Sequence, residues 1–112
     1  MSISCEAYIG YTVTLKTNLK EEDFDFFHRA MEEIEFPNRV HLVVDGMCGH
    51  YARLIYADRI IDCWMEDVEY LPLRPEKLTI EIYDALNKVY KHMYNRDLRD
   101  LDAEYALSFH FY

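Results

Sequence analysis

The chain has 112 residues, is 51% hydrophobic and carries ten Tyr, six Phe and one Trp; this is enough for one packed core and too little for two ordinary domains, so residues 1–112 are expected to form a single domain. Twelve Lys and Arg against twenty-one Asp and Glu leave a net charge of -9. That field repels phosphate backbones and anionic membrane surfaces over roughly 8 Å at physiological salt, which argues against direct nucleic-acid binding and a lipid-surface role and favours a basic partner.

The stretch EAYIGYTVTLKT, residues 6–17, alternates with Ala7, Ile9, Tyr11, Val13 and Leu15 on one side and Tyr8, Gly10, Thr12, Thr14 and Lys16 on the other. It predicts a first strand. NLKEEDFDFFHRAMEEIEF follows with helical spacing: Asn18 and Glu21 read as a capping box, Phe24, Phe27, Met31 and Ile34 share a face, and Pro37 ends the element. Phe26 falls on another side of this helix, near Glu22, Arg29 and Glu33, where an exposed ring would serve as an anchor for a partner.

RVHLVVDGMCGHYARLIYA predicts two strands joined by a turn bounded by Asp45-Gly46 and Gly49. ADRIIDCW continues the second of them or adds a short strand, and EDVEYLPLRP is an acidic, Pro-broken connection. Pro75 is expected to open the next helix, whose stripe is Leu78, Ile82, Leu86, Val89 and Met93. Tyr83, Tyr90 and Tyr94 coincide on a rim that seals its edge against the sheet. The last strand, AEYALSFHFY, points Tyr105, Leu107, Phe109 and Phe111 into the core and Ala106, Ser108, His110 and Tyr112 the other way.

This succession, strand, helix, strand, strand, helix, strand, resembles the ferredoxin-like fold: an α+β chain of βαββαβ order, with a four-stranded antiparallel sheet and two helices on one face. Such an architecture assigns no function by itself. It does leave a second sheet face, to which Tyr8, Thr12, Thr14, His41, Val43, Tyr51, Arg53, Ile55, His110 and Tyr112 would point. Tyr8, Tyr51, His110 and Tyr112 make it rich in rings, as expected of a seam with a second copy or of a site for a foreign protein. An RNA-binding sheet also displays aromatics, but the charge opposes it and no KGFGF-like run is present.

Acidic residues recur in clusters along the chain, and Asp58, Asp62, Glu66, Asp67 and Glu69 form the candidate partner-binding one. Small phage-encoded proteins use such carboxylate arrays to occupy basic nucleic-acid grooves, and this chain is similar to them in size and charge. The resemblance implies an inhibitor of a basic, nucleic-acid-binding macromolecule, such as an anti-CRISPR protein. Two further expectations stand beside it: an immunity protein against a toxin nuclease, and a ligand-sensing regulatory domain that dimerises.

Catalytic signals are absent from the sequence. The five His residues show neither HExxH nor paired spacing with Cys, and Cys5, Cys48 and Cys63 form no CxxC. Cys48 and His50 share a turn with no third orienting group, so a nucleophile there is disfavoured. DLRDLDAE lacks the glycine of a calcium loop, and no Gly-rich phosphate cradle exists. A non-enzyme without metal or cofactor is expected, and with no basic start and h-region at the N-terminus, so is a cytoplasmic location.

Overall fold

Alternating residues build the first strand as expected, β1 (Cys5–Lys16). The computed structural model describes residues 5–46, 50–62 and 77–111. Helix α1 (Glu21–Glu33) starts two residues later than the expected capping box of Asn18 and Glu21 implies. Lys20 is the N-cap, and its backbone N–H donates to Asp23 Oδ2 at 2.9 Å, while Asn18 adopts a left-handed φ of 56° in the preceding turn. Short polar side chains tolerate that conformation, so Asn18 turns the chain instead of capping it. Phe27 and Ala30 are the buried residues of α1, whereas Met31 is 42% exposed; the small Ala30 lets the helix approach closely on that side.

Strands β2 (Val40–Asp45) and β3 (Tyr51–Asp62) pair antiparallel, with Val40 opposite Tyr56 and Asp45 opposite Tyr51. The expected start of the next helix at Pro75 falls outside the described residues, and α2 (Ile80–Tyr94) begins at Ile80. Thr79 caps it by accepting from the Ile82 N–H at 3.2 Å, as short hydroxyl side chains do at this position. Asn95 closes it in the left-handed region and donates its N–H to the Lys91 carbonyl at 2.8 Å. A single 3-10 turn, Asp100–Asp102, leads into β4 (Ala103–Phe111).

All pairings are antiparallel and the sheet order is β2-β3-β1-β4. Both helices feed one core: Phe27 and Ala30 from α1, and Ile82, Leu86, Val89 and Tyr90 from α2, cluster with Val13, Val40, Leu42, Ala52 and Leu54 of the sheet. The molecule is thus an α+β arrangement of a four-stranded antiparallel sheet and two helices.

Two irregularities shape that sheet. The β1–β3 register slips between Ile9 and Gly10, leaving Asp58 as the extra residue on β3, and slips again between Thr14 and Lys16. Gly10 is required at the first of these, because a Cβ there would lie 1.9 Å from the Tyr56 carbonyl oxygen. Bulges increase strand twist and bend the sheet. The outer strands β2 and β4 consequently approach to within 8 Å Cα to Cα, although two strands separate them in the ladder. Curling buries a second cluster, Tyr8, Val43, Ile55 and Ala57, on the side away from the helices.

Two expectations are therefore corrected. The described residues assigned to an open face do point away from the helices, but Tyr8, Thr12, Val43 and Ile55 are buried within the curl, Ile55 completely. On β4 the alternation has the expected phase and the opposite burial: Leu107 and Phe109 are 43% and 46% exposed, while Ser108 is buried. The helices lie against β2 and β3, so the helix-side residues of edge strand β4 are left beyond their cover. Tyr105 keeps a ring partner there, Tyr11, at 5.6 Å.

Candidate interaction surface

The ring-bearing residues expected to meet a partner are largely engaged inside the molecule. Tyr8 is 8% exposed; its hydroxyl donates to Glu6 Oε2 at 2.8 Å and its ring lies 5.7 Å from that of His41. Burial pushes the His41 imidazole below its ordinary pKa, and the nearby Glu6 carboxylate opposes that shift. Tyr51 reaches over the concave side and donates its hydroxyl to the Phe109 carbonyl, tying β3 to the edge strand β4. His110, half-buried, sits opposite Glu6 in the β1–β4 ladder. Tyr112 lies outside the described residues.

Of the acidic candidates, Asp58 and Asp62 are exposed, Asp58 at the bulge and Asp62 at the end of β3. Glu66, Asp67 and Glu69 lie outside the described residues, as does Cys48. The structure therefore places the described members of this cluster in the second half of β3, away from Tyr51 at the other end of that strand.

Phe26 is where the helical spacing places it, 42% exposed on α1. It is not isolated, because its ring packs edge-on against Phe27 at 5.1 Å and lies 5.9 Å from Tyr94 of α2. Tyr94 in turn packs at 4.8 Å against Tyr90, their rings tilted by 43°. Burial first, and then the neighbouring Tyr90, raise the Tyr94 hydroxyl to about 12. The Tyr rim does seal the helix edge: Tyr90 is buried and the Tyr83 hydroxyl donates to the Leu98 carbonyl at 2.5 Å.

Beyond Tyr94 the strip continues into a shallow cavity of about 340 Å³ lined by Tyr90, Tyr94, Arg96, Leu101 and Asp102, among others. The Arg96 guanidinium stands 5.8 Å from the Tyr90 ring and 6.0 Å from the Tyr94 ring. Leu101, 94% exposed between Asp100 and Asp102, was invisible to residue counting, since a single Leu in DLRDLDAE reads as ordinary turn packing. Its signal is its flanks: a large apolar residue between acids in a segment with no helical or strand period.

Around the strip, Glu22, Asp25 and Glu33 of α1 and Asp97 and Asp100 after α2 are all exposed. Hydrogen bonding from the Asn87 amide, and secondly the Lys91 charge, hold the Asp97 carboxyl below its usual range. Asp23 is likewise lowered, foremost by its bond from Lys16 Nζ at 2.7 Å. Together these acidic side chains give the surface near the exposed ring an acidic rim.

Among the described residues, no group of three or more His, Cys, Asp or Glu is placed to hold a metal ion, and no helix is long and apolar enough to cross a membrane. No protein family model, curated protein or solved structure matches the chain.

Proposed function

We propose that this chain is a small acidic interaction protein that inhibits a basic, nucleic-acid-binding macromolecule in the cytoplasm. The observation that carries the reading is Phe26, 42% exposed at the junction of the two helices, with Tyr94 behind it and the carboxylates of Glu22 and Asp25 beside it. A half-buried ring backed by a second ring has little side-chain entropy left to lose on docking. The carboxylates would meet Lys and Arg that otherwise contact phosphates, and the net charge of -9 would speed the encounter. A nuclease effector of the CRISPR type and a toxin nuclease offer the same basic groove, so the anti-CRISPR and immunity readings share this surface.

The strand order β2-β3-β1-β4, with a helix in each crossover, supports the finer ferredoxin-like reading of the fold, in which β3 lies between the strands joined by α1. That likeness adds nothing to the choice of partner.

Pull-down from a lysate of the native host at low salt tests the proposal. A basic nucleic-acid-binding protein should be retained, and its affinity should fall as salt rises. Phe26→Ala should weaken retention about tenfold or more, and Glu22→Gln with Asp25→Asn should flatten the salt dependence. Recovery of no basic partner at low salt ends the reading.

A further inference from the structure

A notch of about 160 Å³ is lined by Thr12, Thr14, Arg53, Glu104, Ala106, Leu107 and Ser108; Thr12, Thr14 and Glu104 also border the cavity beyond Tyr94. Its floor is β1, where Thr14 pairs with Arg53 on one side and Thr12 pairs with Glu104 on the other. Arg53 and Glu104 thus rise from the two strands flanking β1, whose backbones stand about 9–10 Å apart.

Arg53 is the anomaly. In a chain with twenty-one acidic residues, its half-buried guanidinium has no carboxylate within ion-pair distance among the described residues. Its one partner is the Tyr51 ring, 3.7 Å below it. Tyr51 is itself held by its bond to the Phe109 carbonyl, so the guanidinium is oriented by stacking, and no acceptor among the described residues engages its N–H donors. The hydroxyls add to this. Thr12 Oγ1 donates to the Gly10 carbonyl at 3.3 Å, which leaves its lone pairs free to accept. Ser108, only 7% exposed, and Thr14 line the same notch.

We propose that this notch binds a small α-amino acid, its carboxylate against Arg53 and its ammonium group against Glu104, with the hydroxyls of Thr14 and Ser108 between. Charge selects this ligand class. A phosphate or a simple carboxylate would be repelled by the net charge of -9 and by Glu104 in the wall, whereas a zwitterion carries no net charge and satisfies both walls at once. A volume of 160 Å³ equals that of about five liquid water molecules, which suits an amino acid with a small side chain.

Two-dimensional NMR titration of the intact chain, with calorimetry, provides the test, using L-alanine and L-serine as probes and propionate and ethylamine as half-ligands. The amino acids should shift amides of Thr12 to Thr14, Arg53 and Glu104 to Ser108 at millimolar concentration, and neither half-ligand should match them. Arg53→Gln should weaken binding about tenfold or more, as loss of hydrogen bonds to a charged group does, and Glu104→Gln about threefold, as loss of one exposed ion pair does. Thr14→Val, at an exposed position, keeps the test valid if Arg53→Gln fails to fold, and should also weaken binding. Absence of binding by both amino acids, amide shifts confined to other elements, unchanged affinity in Thr14→Val, or propionate binding as tightly as L-alanine would each overturn the assignment. Thr14 and Glu104 also border the cavity beyond Tyr94, whereas Arg53 borders the notch alone; Arg53→Gln should therefore leave partner retention through Phe26 unchanged, and Phe26→Ala should leave amino-acid binding unchanged, so loss of one proposal leaves the other standing.

Discussion

The two faces of the sheet are buried by different means. On one, two amphipathic helices bring Phe27, Leu86 and Val89 down onto Leu54 and Leu42. On the other, no helix takes part in the cluster of Tyr8, Val43, Ile55 and Ala57; the sheet covers itself by curling, and Tyr51 ties the curl to the edge strand. Helix-on-sheet burial follows from side-chain periodicity, whereas self-burial depends on where the ladder slips. The second kind should therefore be more sensitive to backbone changes than to side-chain size.

Leu86→Ala tests the helix-covered face and carries the largest expected effect, a loss of about 3–5 kcal/mol in urea unfolding, because Leu86 is fully buried and its cavity cannot collapse against a sheet. Ile55→Ala probes the curled face, where Ile55 is equally buried. Its cost should be about 2–3 kcal/mol, since an edge-to-edge closure relaxes more readily than a helix interface; a cost equal to that of Leu86→Ala would erase the distinction between the faces.

Gly10→Ala should cost about 2 kcal/mol, because the new methyl group meets the Tyr56 carbonyl and the bulge must shift to admit it. Amide exchange in β4 and the second half of β3 should then quicken while exchange in α2 stays slow. Uniform acceleration would show that the curl and the helix core unfold as one unit. Tyr51→Phe removes the hydroxyl that reaches Phe109 and should cost about 1 kcal/mol, with faster exchange at β4 as the specific readout.

The smallest expected effect is that of pH. Burial lowers the His41 pKa from its ordinary 6.5, so the unfolded chain takes up this proton more readily than the folded one. Stability present above pH 6.5 should then decline as the pH falls below it, and His41→Phe should remove that slope. Asp23, lowered from 3.8, adds a separate loss only below that value, which the His41 variant should retain. A pH 5–7 slope unchanged in His41→Phe would place the titrating group elsewhere.

Much of this was legible in the residues. The alternation in EAYIGYTVTLKT gave β1 its two faces, the stripe of Ile82, Leu86 and Val89 gave α2 its buried side, and the helical offset of Phe26 from the face of Phe24 and Phe27 placed it at the surface. The α1 cap lies at Lys20, two residues beyond Asn18, because Asn18 suits two competing roles, N-cap and left-handed turn, and only the path of the chain from β1 chooses between them. The candidate sites were less legible. Leu101 has no periodic neighbour to betray its exposure, and Arg53 looks like any alternating surface residue until its guanidinium is found over the Tyr51 ring and the ladder sets it opposite Thr14, diagonal to Glu104.

Periodicity, charge and turn chemistry by themselves determined the order of elements, the side of each strand on which a residue lies and the acidity of the surface, because these depend on neighbours close in sequence. Only the tertiary structure decided which of those sides is wet. Whether Tyr8 meets solvent or His41, and whether Phe109 is core or surface, depends on a register slip at Gly10 and on the reach of two helices that stop short of β4. Both are set by contacts between residues tens of positions apart, which no local pattern encodes.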